Sequence, residues 1–147
     1  MAEVKIVYWT GTGNTALMAD YIAKGAREAG IEAKLVSVEQ ITPEELEQEN
    51  VFALGCPSMG AEQLEESTME PFVEVLEGSV SGKQILLFGS YGWGDGEWMR
   101  NWVERMNHAG ARMIEMDGVI ANEAPTGEAE AHCIEAGRLL GEAYKAV

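Results

Sequence analysis

The segment Thr10-Gly11-Thr12-Gly13-Asn14-Thr15 follows the apolar run Ile6-Val7-Tyr8-Trp9 and precedes a stretch in which Met18, Ile22 and Ala26 recur four residues apart. A loop so placed leaves a strand and opens a helix, whose free N–H groups and positive dipole end favour a phosphate. The glycines let the backbone wrap closely, and three threonines with one asparagine add neutral donors. No Lys or Arg lies between Lys5 and Lys24, so a phosphate here is held by neutral hydrogen bonds rather than by a local ion pair. Gly11-x-Gly13-x-x-Ala16 also satisfies the dinucleotide fingerprint, with Glu39 ending the second strand where a ribose-binding acid would stand. Taken alone the loop leaves both readings open; its hydroxyl density favours a terminal phosphate over a bridging pyrophosphate. A Walker A loop is excluded, because Gly78-x-x-x-Gly82-Lys83 is one residue short and runs into a strand.

Two further loops carry candidate chemistry. The third strand runs into Gly55-Cys56-Pro57-Ser58-Met59-Gly60-Ala61-Glu62-Gln63, and the fourth into Gly89-Ser90-Tyr91-Gly92-Trp93-Gly94-Asp95-Gly96. An indole bracketed by Gly92 and Gly94 has little local packing of its own, so Trp93 is a candidate to stack on something planar. Cys56, at a strand end before Pro57, reads as a buried inert thiol, and His108 and His132 read as residues without chemical roles. Glu65, Glu66, Glu70, Glu97 and Glu123 form either a solvated face or a partner-recognition surface, since several flank these two loops.

Positioning those loops takes an alternation of strands and helices. Ile6 to Trp9, Ala33 to Val38, Val51 to Leu54, Ile85 to Phe88 and Met113 to Ile120 read as strands. Ala16 to Ala29 reads as a helix stopped by Gly30, and Thr42-Pro43-Glu44-Glu45 has the layout of a capping box. Trp98, Met99, Trp102, Val103 and Met106 make a helical stripe ending at Gly110, and Cys133, Leu140 and Tyr144 lie on a stripe of the last helix. Five near-continuous apolar strands alternating with helices imply right-handed crossovers and a doubly wound parallel sheet with helices on both faces, an α/β fold. In such sheets the ligand sits beyond the carboxyl ends of the strands, where their order reverses. The 147 residues suit a single domain over 1–147.

A formal charge of −15 makes nucleic acid and membrane surface poor partners and a basic protein surface a good one. No apolar stretch approaches the roughly 18 residues of a membrane span, and Met1-Ala2-Glu3-Val4-Lys5-Ile6 lacks the features of a secretory signal, so a cytoplasmic protein is expected. Cys56 and Cys133, with no Cys-x-x-Cys, suggest neither a disulfide framework nor a zinc site, and no metal ligands are expected.

Together, the Thr10–Thr15 loop, the Met59-Gly60-x-Glu62 loop and the Ser90-Tyr91-Gly92-Trp93-Gly94-Asp95-Gly96 loop resemble those of the flavodoxins, specifically the short-chain, clostridial-type members. The resemblance spans the whole chain and includes its length, its acidity and the absence of a long insertion splitting the last strand. It implies a five-stranded sheet of order 2-1-3-4-5, non-covalently bound flavin mononucleotide (FMN), and a low-potential one-electron carrier between redox enzymes rather than an enzyme. By resemblance, Thr10, Gly11, Thr12, Gly13, Asn14 and Thr15 cradle the phosphate, with Ser58 a further candidate donor near it. Met59 and Trp93 sandwich the ring, and Glu62 accepts a hydrogen bond from its N3–H. The Gly60 peptide, beside Ala61, is similar to one that turns over when the flavin takes up an electron and a proton. Ser90, Tyr91 and Gly92 offer backbone to the pyrimidine side, with Gly94 and Asp95 completing that loop. Pro57 and Ala61 depart from the usual pattern, in which a small hydroxyl residue and an acid are common. The resemblance further implies a monomer met by redox enzymes on its acidic face around the flavin. The alternative on the same fold is an FMN- or NAD-dependent reductase. A signalling receiver module would need aspartates after the first and third strands, where this chain has Thr/Gly/Asn and Cys-Pro-Ser.

Overall fold

The computed structural model describes residues 3–147; Met1 and Ala2, the first two residues of the stretch read as lacking a leader, lie outside them. Strand β1 (Glu3–Tyr8) leads to helix α1 (Asn14–Glu28), then β2 (Glu32–Ser37), the single-turn helix α2 (Pro43–Leu46) and β3 (Val51–Gly55). Helix α3 (Met69–Leu76), β4 (Gln84–Tyr91), α4 (Glu97–His108), the short strands β5 (Arg112–Met113) and β6 (Val119–Asn122), and α5 (Glu128–Lys145) follow. Every strand pair is parallel, in the order β2-β1-β3-β4-β5, with β6 also pairing with β4. The sheet order and the helices on both faces match the doubly wound fold expected from the sequence.

The apolar runs are continuous because both sheet faces are covered. All five residues of β3 are buried. On one face Val7, Phe52, Leu54, Ile85 and Leu87 pack with Met69, Phe72, Trp98 and Trp102 of α3 and α4. On the other, Ile6, Ala53, Leu86 and Phe88 pack with Met18 and Ile22 of α1 and Cys133 and Leu140 of α5. Helices α1 and α5 approach so closely that a Cβ on Gly25 would collide with the Ile134 carbonyl, and one on Gly137 with that of Ile22. The capping box of α2 is present: Glu45 N–H donates to Thr42 Oγ1 and Thr42 N–H donates to Glu45 Oε1, both at 3.1 Å.

One element departs from the expectation. Met113 to Ile120 is not a single strand: β5 and β6 occupy successive stretches of the same sheet edge, pairing with Gln84–Ile85 and Phe88–Tyr91 respectively. Between them Asp117-Gly118 turns the chain, with Gly118 at φ +74° and its N–H bonded to Glu115 O at 3.1 Å. Met116, counted as a strand residue by its apolar type, points into solvent.

Candidate functional site

The register sets Tyr8 beside Gly55 and Gly55 beside Phe88, so β1, β3 and β4 end at one edge of the sheet. Backbone bonds extend this alignment past the strand ends: Trp9 N to Gly55 O, Cys56 N to Phe88 O and Ser58 N to Ser90 O, each 3.0 Å. The three loops read from the sequence are thereby brought together at the point where strand order reverses, as the fold rule requires. They enclose a cleft of about 220 Å³. Gly11, Thr12 and Asn14 line it from the first loop, Ser58 and Met59 from the second, and Ser90, Tyr91 and Gly92 from the third.

Not every hydroxyl of the first loop faces that cleft. Thr10 Oγ1 turns inward and accepts from the N–H groups of Gly13 (3.1 Å) and Ala16 (3.4 Å), shaping the loop around Gly13, whose φ is +101°. Thr15 is buried in the first turn of α1; its hydroxyl lies 3.3 Å from Ser90 Oγ and accepts from Ser90 N–H at 3.4 Å, fastening the helix to the end of β4. Thr12 and Asn14 are the side chains left open to the cleft, beside the helix N-terminus.

The second loop is a tight turn closed by reciprocal backbone bonds between Met59 and Gln63 (2.8 and 2.9 Å). Inside it Gly60 has φ +54° and Glu62 has φ +50°, a strained value for a residue with a side chain. The Glu62 carboxylate lies against Gly94: a Cβ there would stand 2.6 Å from it and displace it, and the φ of +85° at Gly94 itself favours glycine. Glu62 Oε1 is buried and has no hydrogen-bond partner among the described residues. Trp93 is 65% exposed and Met59 36%, two large apolar side chains at the rim that the protein itself leaves uncovered. Gly60, Ala61, Glu62, Trp93, Gly94 and Asp95 lie around the rim rather than in the cleft wall. Asp95 pairs with Arg100 of α4 at 3.0 Å, and its carbonyl accepts from the same guanidinium, which ties the third loop to the helix it precedes.

Three residues of the cleft wall were not singled out as ligands from sequence: Trp9, Pro57 and Glu123. Trp9 lies under Gly11, within 3.2 Å of where a Cβ would stand, and its position immediately before the first loop was the available signal. Glu123 arrives from β6 with φ +63°, held by its N–H to Tyr91 O at 2.8 Å. Behind the cleft, Trp98 Nε1–H donates to Cys56 O at 3.1 Å, while burial pushes the Cys56 thiol up to about 12, consistent with an inert group.

The acids flanking the loops divide. Glu65 is not on a solvated face: it is 6% exposed, and its carboxylate accepts from the N–H groups of Ser67 (2.9 Å), Thr68 (2.8 Å) and Met69 (2.9 Å) and from the Ser67 hydroxyl, closing the start of α3. Burial works to raise its pKa, but these hydrogen bonds outweigh it and hold the carboxyl below its ordinary value. Glu70 is occupied by a two-pronged pair with Arg105 (2.9 and 2.7 Å), which also holds Glu77 at 2.7 Å. Glu66, Glu97 and Glu123 remain exposed near the loops.

The sequence profile of the flavodoxin family matches residues 6–137. The chain is 50% identical over 137 residues to the flavodoxin of Clostridium beijerinckii, covering 93% of this chain and 98% of that one. It is 43% identical over 140 residues to the flavodoxin of Megasphaera elsdenii, with 95% and 99% covered. The solution structure of two-electron reduced Megasphaera elsdenii flavodoxin superposes with a TM-score of 0.87 at 42% identity, over 95% of this chain and 98% of that one. A doubly wound sheet with a hydroxyl-lined cradle and an uncovered aromatic at its switch point defines a nucleotide-binding class. Within that class, the chain belongs to the flavodoxin family. It is accordingly an FMN-binding electron-transfer protein rather than an enzyme, and the reductase alternative is not favoured.

Proposed function

We propose that FMN is held with its phosphate in the Thr10–Thr15 loop and its ring between Met59 and Trp93. FMN supplies the reversible low-potential electron transfer; the protein supplies binding, orientation and electrostatics. The observation that carries this placement is Glu62 Oε1, a buried acceptor without a donor, set at the rim beside two uncovered apolar side chains. Such an acceptor is costly unless a ligand supplies a donor, and a ring imide N–H is one.

Each loop then has a separate task. Thr12 and Asn14, with the N–H groups opening α1, supply neutral donors to the phosphate, while Thr10 and Thr15 shape and anchor the loop. Ser58 adds a hydroxyl from the cleft wall, and Ser90, Tyr91 and Gly92 supply backbone to the ring's polar edge. Gly60 lets its peptide turn at little cost, because glycine populates both signs of φ. Gly94 leaves the space that the Glu62 carboxylate fills. The Asp95–Arg100 pair holds Trp93's loop in place.

This flavodoxin passes electrons to redox partners, and on our reading they dock on the exposed acids near the rim, Glu66, Glu97 and Glu123, through a basic surface. We place it in the cytoplasm as a monomer, with residues 1–147 acting as a single domain. Support comes from the −15 charge and from one sheet joining the elements of the described residues; none of their helices is long and apolar enough to cross a membrane.

The test is the ratio of affinities for FMN and riboflavin, measured by flavin fluorescence. Removing the phosphate leaves the Thr12 and Asn14 donors without a partner, so FMN is expected to bind more tightly. Equal affinities would overturn the phosphate assignment.

A further inference from the structure

Behind the rim, between the loop after β3 and helix α4, lies a second, smaller cavity of about 130 Å³ whose wall includes Glu62, Gln63, Asn101, Trp102 and Arg105. It shares no lining residue with the cleft described above. Two buried polar atoms of its lining residues lack a hydrogen-bond partner among the described residues: Glu62 Oε1 and Trp102 Nε1. Trp102 is 2% exposed, so its indole N–H cannot reach bulk solvent. The charged groups beside them are already matched, since Arg105 is spanned by Glu70 and Glu77. The residues around the cavity therefore include one unpaired donor, which can only donate, and one unpaired carboxylate oxygen, which can only accept, both enclosed by the protein. They come from different elements and are not bonded to each other.

A water molecule complements such a pair, accepting from one side and donating to the other. The cavity exceeds the roughly 10 to 15 Å³ that one water needs on the same measure, and a buried water needs about two to four polar partners. Trp102 and Glu62 supply two, and the amide side chains of Gln63 and Asn101 stand in the same wall. We propose that this cavity is a built water site in which water accepts from Trp102 Nε1–H and donates to the Glu62 carboxylate, making Trp102 a positioning residue for Glu62. The water site stands on the two unpaired atoms; its consequence for FMN rests on the ring placement proposed above. A carboxylate has about four acceptor positions on its two oxygens, so Glu62 can take a ring N–H and a water together. Its backbone is strained at φ +50° and its carboxylate is confined by Gly94, so a bond from the α4 side fixes its remaining freedom. Through the water, α4 reaches the flavin edge without touching it.

The experiment uses the intact protein loaded with oxidised FMN. In a ¹⁵N-labelled sample, the Trp102 indole proton, identified by its loss in Trp102→Phe, should show cross-relaxation with water while exchanging slowly with solvent. A protected indole proton with no water contact would overturn the water site, and this arm needs no variant that must bind flavin. In a second arm, FMN labelled at ring N3 reports how fast its N3–H exchanges with solvent. Trp102→Phe keeps an aromatic ring but removes the donor, and is expected to accelerate that exchange several-fold; an unchanged rate would overturn the positioning role. A parent protein that shows the indole–water contact but does not retain FMN would support the water site and overturn the positioning role together with the ring placement.

Discussion

At the residue scale, the site separates side chains that meet a ligand from side chains that only shape it. Thr12 and Asn14 are open to the cleft, whereas the hydroxyls of Thr10 and Thr15 are spent inside the protein. Thr12→Val or Asn14→Leu should each weaken FMN by about 1 to 3 kcal/mol and leave riboflavin nearly unaffected, because a donor is lost only where a phosphate needs it. Fluorescence titration of each variant with both flavins checks this. The sequence alone assigned all four side chains to the phosphate; it could not show that Thr15 meets Ser90, since that contact spans 75 positions. Glu65 teaches the same lesson in the other direction. Its carboxylate is held below its ordinary value by bonds to the start of α3, so the stability it lends is present above the unfolded carboxylate range, about 4.3. That stability is lost as pH falls through the lower folded value. Glu65→Ala should therefore cost about 1 to 3 kcal/mol near neutral pH, from donors left unpaired. Urea denaturation along a pH series should show the difference from the parent shrinking once the solution is acid enough to protonate Glu65 in the folded protein.

At the scale of elements, the strand–helix rhythm was legible because the central strands β3 and β4 are covered on both faces and write themselves as nearly unbroken apolar runs. The three loops were legible for a related reason: each follows a strand that ends at the same edge. What the rhythm could not show is a break hidden by an apolar residue, as at Met116, where Asp117-Gly118 turns the chain between β5 and β6. Trp9 was hidden likewise, reading as the end of β1 when it also forms the floor beneath Gly11. The close approach of α1 and α5 is another long-range fact, since nothing local to Gly137 announces the Ile22 carbonyl against it. Gly137→Ala forces the two helices apart and should destabilise the protein by about 1 to 3 kcal/mol, despite alanine's better helix propensity. A lower urea midpoint at unchanged slope, with FMN affinity little altered, is the expected outcome. A gain in stability would show that the helix pair yields more easily than its backbone contact allows.

For the whole molecule, charge is the governing quantity. With Glu65 committed to α3 and Glu70 to Arg105, Glu66 and Glu97 are the acids near the rim, outside the cleft wall, on which the docking proposal can be tested. Neutralising both by Glu66→Gln and Glu97→Gln should slow electron exchange with a basic partner at low ionic strength, with the difference fading as the Debye length falls to about 8 Å at 0.15 M salt. Rates that match the parent at every ionic strength would remove these acids from the docking surface. The same negative field opposes each electron added to the bound ring, most strongly the last, since a ring left anionic meets the charge of the protein around it. The most direct test of the central claim, that this chain is a low-potential one-electron carrier, is a potentiometric titration of the FMN-loaded protein followed by absorption. Two separate one-electron steps are predicted, the second at a potential below that of free FMN; a single two-electron step near the free-flavin potential would contradict the claim.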